Sequence, residues 1–164
     1  MSKVITFSRV FPKYHPRAGQ PTYFVEQLYK SIGIDIKHMP PQVFQDFNYD
    51  VYTKSTGKSH TIRSGNRWKV GDKFSPRVWS GKPYASPQVV IAPDIQIKKI
   101  WDIGMDENCV FWVNGKYLKA NVVDLLAKND GLDISDFYKW FMPNWEKPKL
   151  FSGQIICWDE NIKY

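Results

Sequence analysis

Gly57-Lys58-Ser59-His60-Thr61-Ile62-Arg63 places an amine, a hydroxyl and a guanidinium within six residues. The alternation around Thr61 reads as a β-strand, in which residues two apart share a face. Ser59, Thr61 and Arg63 therefore point the same way. Lys58 lies three before Thr61 and falls on the opposite face under strict alternation. It joins the others only if the backbone breaks ahead of the strand, and Gly57 supplies that freedom. Chemically the trio is coherent. A Thr hydroxyl becomes a nucleophile when a base takes its proton, and a Lys amine is such a base once its pKa falls. The Arg holds an oxyanion, a carbonyl or a phosphate. The same pattern also describes an edge strand with surface cations.

Outward from this stretch the strand signal continues. Trp68-Lys69-Val70-Gly71-Asp72-Lys73 reads as a turn into a strand over Lys73–Trp79. Further strands are expected at Gln88–Ile91, Ile95–Ile103 and Phe151–Trp158, the last apolar enough to be buried. Cys109–Val113, Asn114-Gly115 and Lys116–Leu118 predict a hairpin with a type I′ turn. Upstream, Val4–Phe7 reads as a first strand. Thr22–Ile32 carries one apolar helical face that stops at Gly33. Residues 34–57 show no period and read as an excursion with little regular structure. Two late helices are expected, one capped by Asn121 and one starting near Asp133 and ended by Pro143. Short strands with helices between them indicate an α+β fold, a small and partly open β-barrel.

The chain of 164 residues reads as one domain, residues 1–164, with an insertion at about 8–56 after the first strand. Aromatic residues make up 16 %, enough to line a core and to leave rings for a ligand. The net charge of +7 is uneven: residues 1–100 carry +10 and residues 101–164 carry −3. Between 54 and 82, eight basic residues face one acid, Asp72. Such a stripe suits a polyanion, with nucleic acid the first candidate, or a solvated basic face. Arg63, Lys58, Arg67, Lys69, Trp68 and Arg77 are the candidate contacts; rings such as Trp68, Trp79 and Tyr84 stack on bases or fill the core. Cys109 and Cys157 lack metal spacing and read as free thiols in a reducing compartment. The three histidines have no metal spacing either, so no metal or cofactor is expected. No signal peptide or membrane span is read, and a cytoplasmic protein is expected.

Gly57–Arg63, Trp68–Lys73 and Arg77-Val78-Trp79 together resemble the core signature of the ASCH family. Val4–Phe7 is similar to the family's first strand, and Ala127–Leu132 with Phe137–Phe141 to its late helical segment. The resemblance covers residues 3–7 and about 55–158. It implies a PUA-like β-barrel with flanking helices and a long insertion, and a module that binds RNA or a nucleotide. One branch of the family removes the acetyl group from N4-acetylcytidine, using a Lys, a Thr three residues on, an Arg two after the Thr and a distant Glu. By that resemblance Lys58 is the base, Thr61 the nucleophile and Arg63 the charge holder. The acid falls on Asp130, shorter than Glu by one methylene, which stands before Gly131 at the apparent end of a helix. Ribonuclease activity is the family's third implication.

Overall fold

The computed structural model describes residues 2–164. Lys3–Thr6 forms strand β1, and Phe24–Ile32 forms helix α1. Phe24, Val25, Leu28 and Tyr29 are its buried face, and Gly33 closes it in a left-handed conformation by donating to the Tyr29 carbonyl. Residues 34–57 differ from expectation. They hold a 3-10 turn at Ile36–His38 and two short helices, α2 (Pro41–Phe44) and α3 (Tyr49–Lys54). Elements this short display no apolar period, and only their ends announce them. Asp35 caps the turn through the Lys37 N–H, Pro41 opens α2, and the Asn48 side chain accepts from the Val51 N–H.

The strands follow: β2 (His60–Ser64), β3 (Lys73–Trp79), β4 (Gln88–Val90), β5 (Ile95–Gln96), β6 (Lys99–Met105), β7 (Phe111–Val113) and β8 (Lys116–Tyr117). Two helices, α4 (Ala120–Asn129) and α5 (Ile134–Phe141), precede the last strand, β9 (Phe151–Cys157). The run expected as one strand over Ile95–Ile103 is two, because the chain changes sheet within it. β5 pairs with β3, whereas β6 pairs with β9 along seven residues. The hairpin turn is as read, with Asn114 and Gly115 both at positive φ. Helix α4 starts two residues earlier than expected, with Lys119 rather than Asn121 at its cap. Asp133 caps α5 by accepting from the Asp136 N–H at 2.8 Å.

Two sheets result, an α+β arrangement. In one, β3 lies between β1, its parallel partner, and β4 and β5, which pair antiparallel with its opposite ends. The other runs β2-β9-β6-β7-β8, all antiparallel. Neither sheet closes into a barrel. Phe7 and Phe74 from the first sheet meet Trp158, just after β9, at centroid distances of 6.3 and 5.8 Å, and so join the two sheets. Phe111 and Phe151 pack α5 onto the second sheet through Phe137 and Phe141. Most rings are therefore core. Among the described residues, no helix is long and apolar enough to cross a membrane.

Candidate functional site: a cavity floored by Lys58 and Asp130

Strand β2 begins at His60, and the two residues before it follow Gly57, whose φ is +95°. The backbone therefore breaks where the spacing requires it. The Lys58 N–H bonds the Gln27 carbonyl of α1, and the Ser59 N–H bonds the Asn129 carbonyl of α4. Pinned between two helices, Lys58 turns inward and is 1 % exposed. Its ammonium donates to Asp130 Oδ1 at 2.7 Å and also to the Asp130 main-chain carbonyl. It sits 4.4 Å from the centroid of the Phe24 ring.

Asp130 is the last helical-geometry residue of α4, followed by Gly131 at φ +85°. A carboxylate there is disfavoured by the helix dipole. Lys58 offsets this by binding the carboxylate and a terminal carbonyl at once. Burial pushes the Asp130 carboxyl up, but the Lys58 charge and His60 outweigh it and leave the group below the usual carboxylate range. Burial pulls the Lys58 ammonium down, against the pull of Asp130 and with help from Arg63.

Behind the floor, His60 Nδ1 stands 3.6 Å from Asp130 Oδ1, and His60 Nε2 meets Tyr164 Oη at 2.6 Å. Asn129 Nδ2 donates to the same phenol oxygen at 2.9 Å. Burial lowers the His60 pKa more than Asp130 raises it, which favours the neutral ring. Alternation puts His60 on the face away from Thr61. Its link to Asp130 is long-range and has no sequence signal.

Lys58, Thr61, Arg63 and Asp130 all line one cavity of about 1280 Å³. Small-molecule sites usually span about 300–1,000 Å³. Arg63 donates to the Thr6 carbonyl at 2.8 Å, and its guanidinium lies 5.8 Å from the Phe7 ring centroid. Burial lowers its pKa, with Arg67 adding to that and Asp130 and Tyr84 opposing it. Arg63 Nε and Trp68 Nε1 are buried without a hydrogen-bond partner among the described residues. Arg67 lines the cavity from an exposed position. Trp68 borders it but is core, packed edge-on to Phe74 and clamped by the Gln154 amide on both backbone groups. Lys69 and Arg77 do not line it: Lys69 is exposed on a turn, and Arg77 bonds Ser75 on β3 and Gln88 on β4.

Residues 8–56 wall the cavity rather than plug it. Ser8, Arg9, Pro12, Tyr14 and Glu26 are among the lining residues. Glu26 was not expected at the site. Its carboxyl is pushed up by burial, partly countered by the Asn48 N–H it accepts at 2.9 Å. Arg9 pairs with Asp46 at 2.7 Å nearby. Nothing in the local sequence marks Glu26, since a first-turn acid is ordinary helix chemistry. Among the described residues, no three His, Cys, Asp or Glu side chains gather where they could share a metal ion.

The arrangement offers anchored cationic donors, one hydroxyl and a carboxylate already engaged by the lysine. It suits a ligand carrying carbonyl or phosphate oxygens. No protein-family model, curated protein or solved structure matches this chain.

Proposed function

We propose that the protein is an ASCH-type, PUA-like module that binds RNA or a nucleotide, taking one nucleobase or modified nucleobase into the cavity. The observation that carries this reading is the convergence of Lys58, Thr61, Arg63 and Asp130 on one cavity. A buried ion pair is a costly way to fill a core, because desolvating both charges rarely leaves a net gain over apolar packing. At the floor of a cavity it has another use. Two of the three Lys58 donor positions serve Asp130, which leaves one for a ligand oxygen. Arg63 contributes its guanidinium, with Nε unpaired. The charge of +10 over residues 1–100 favours a polyanion.

The test is binding of mixed-sequence RNA oligonucleotides across a salt series. About three phosphate contacts give a slope of about −2 in log K against log salt for a single strand. Absence of binding at low salt would end the reading.

A second reading has its own support: the three groups of an amidohydrolase, Lys58, Thr61 and an acid, line the same cavity. In this reading Thr61 Oγ attacks the acyl carbon of an N4-acetylcytidine-like nucleoside, and its proton passes to the neutral Lys58 amine. Arg63 holds the oxyanion. The carbon–nitrogen bond breaks as the exocyclic amine regains a proton, and water then hydrolyses the acyl-threonine. Burial favours the neutral amine and Asp130 opposes it. Incubation with N4-acetylcytidine decides it. Release of cytidine that is lost in Thr61→Val supports the enzyme, and no release refutes it.

A further inference from the structure

Trp79 and Tyr84 stand at the mouth of the cavity, well separated in exposure from its floor. Their ring centroids are 5.3 Å apart with planes at 49°. Trp79 is half-buried at the end of β3, whereas Tyr84 is 91 % exposed. Tyr84 also has a φ of +62°, a left-handed conformation that L side chains avoid. The loop that imposes it is ordered by its own bonds. Ser80 N–H reaches the Pro87 carbonyl at 2.9 Å, and Ala85 N–H reaches the Lys82 carbonyl at 3.1 Å. The Ser86 hydroxyl accepts from the Gly81 N–H at 3.0 Å and donates to the Lys82 carbonyl at 2.9 Å. A tied loop thus presents an aromatic ring to water beside a second ring.

Arg67 lines the same cavity from an exposed position. Its guanidinium lies 5.1 Å from the Trp68 ring centroid, which steadies it on an aromatic face. Arg63, Arg67, Trp79 and Tyr84 all line this one cavity, so the mouth is continuous with the inner cation. Rings that stack on bases beside an arginine that holds phosphate are the means by which single strands are bound without duplex geometry. The cavity volume of about 1280 Å³ exceeds what one floor-bound base occupies.

We propose that Trp79, Tyr84 and Arg67 form a second subsite that stacks and holds the nucleotide flanking the one at the floor, so that the ligand is a single-stranded oligonucleotide rather than a free nucleoside. This rests on the reading of the floor given above. Tyr84 is exposed enough to be replaced without disturbing the core.

The experiment is calorimetric titration at low salt with cytidine monophosphate and with mixed-sequence tetraribonucleotides, using wild type, Tyr84→Ala and Tyr84→Phe. Wild type binds the tetranucleotides at least tenfold tighter than the mononucleotide. Tyr84→Ala shrinks that ratio about fivefold to a hundredfold, as expected for one base–ring stack. Tyr84→Phe retains it, because the ring suffices. If the mononucleotide binds and the tetranucleotides bind no tighter, or if Tyr84→Ala leaves the ratio unchanged, the second subsite is refuted and the floor stands. If neither probe binds wild type, both are refuted together.

Discussion

His60 Nδ1 faces Asp130 Oδ1 across 3.6 Å, and His60 is not among the residues that line the cavity. The order of donors behind it fixes which ring nitrogen carries the proton. Asn129 Nδ2 donates to Tyr164 Oη. The Tyr164 phenol, pushed far up by burial, keeps its proton, and we infer that its O–H donates the hydrogen bond to His60 Nε2. The neutral ring must then bear hydrogen on Nδ1, toward the carboxylate. The reverse order would set a bare ring nitrogen against a negative oxygen. Nitrogen-15 NMR at neutral pH is expected to show the Nδ1–H tautomer in wild type. Tyr164→Phe removes the donor and shifts the ring toward Nε2–H. An Nε2–H ring in wild type would overturn the assignment.

Removal of one partner of the floor pair strands the other. Lys58→Met leaves Asp130 without its main counter-charge, and a loss of about 3–5 kcal/mol is expected in urea denaturation. Asp130→Leu costs a similar amount. The double replacement recovers most of the stability, because two apolar groups need no pairing. All three variants lose ligand binding, so stability and function separate cleanly. A double variant as unstable as the two singles combined would contradict the ion-pair description.

The losses of stability on acidification come from two lowered pKa values, with the raised Glu26 carboxyl acting in the opposite sense. His60 is held below its ordinary 6.5, so the unfolded chain binds its proton first as pH falls. Stability therefore declines from about pH 6.5 downward, until the folded ring titrates as well. Asp130, held below its ordinary 3.8, adds a second loss beginning near that value. Urea midpoints measured from pH 8 to pH 3 are expected to fall in these two windows. His60→Gln should flatten the upper one and leave the lower.

Gly57 and Gly19 separate conformation from space. Both have positive φ, but a Cβ at Gly57 would lie 3.0 Å from Ser31 Cβ and 3.2 Å from its Cα, while one at Gly19 meets nothing. Gly19→Ala is expected to cost about 1 kcal/mol for the left-handed backbone alone. Gly57→Ala adds steric displacement, for a total of about 2–4 kcal/mol. It also moves Lys58, so ligand affinity falls with stability. Thermal unfolding of both variants, with binding measured on the folded fraction, checks this.

What was legible in the sequence was local. The β2 strand, the break at Gly57, the Asn114-Gly115 turn and the start of α5 near Asp133 each follow from residue-level stereochemistry. So does the pairing of Thr61 with Arg63 on one face. The sheet change after Gln96 was hidden, because Ile97 and Lys98 keep the alternation while the partner strand changes. Trp68 reads as a ligand ring by composition, but the Gln154 amide and Phe74 bind it into the core. Glu26, Asn129 and Tyr164 reach the site only through contacts between distant segments, which no local pattern encodes.

The parallel pairing of β1 with β3 joins Lys3 to Phe74 across about seventy residues. The site inherits that reach, since Arg63 holds Thr6, Lys58 holds Asp130 and His60 holds Tyr164. No fragment of the chain contains the cavity, and closing such long loops comes late in folding. The binding groups therefore gather only once these distant segments have closed on one another. A ligand that recognises only the assembled cavity stabilises the folded chain by mass action, which makes the cavity a reporter on complete assembly.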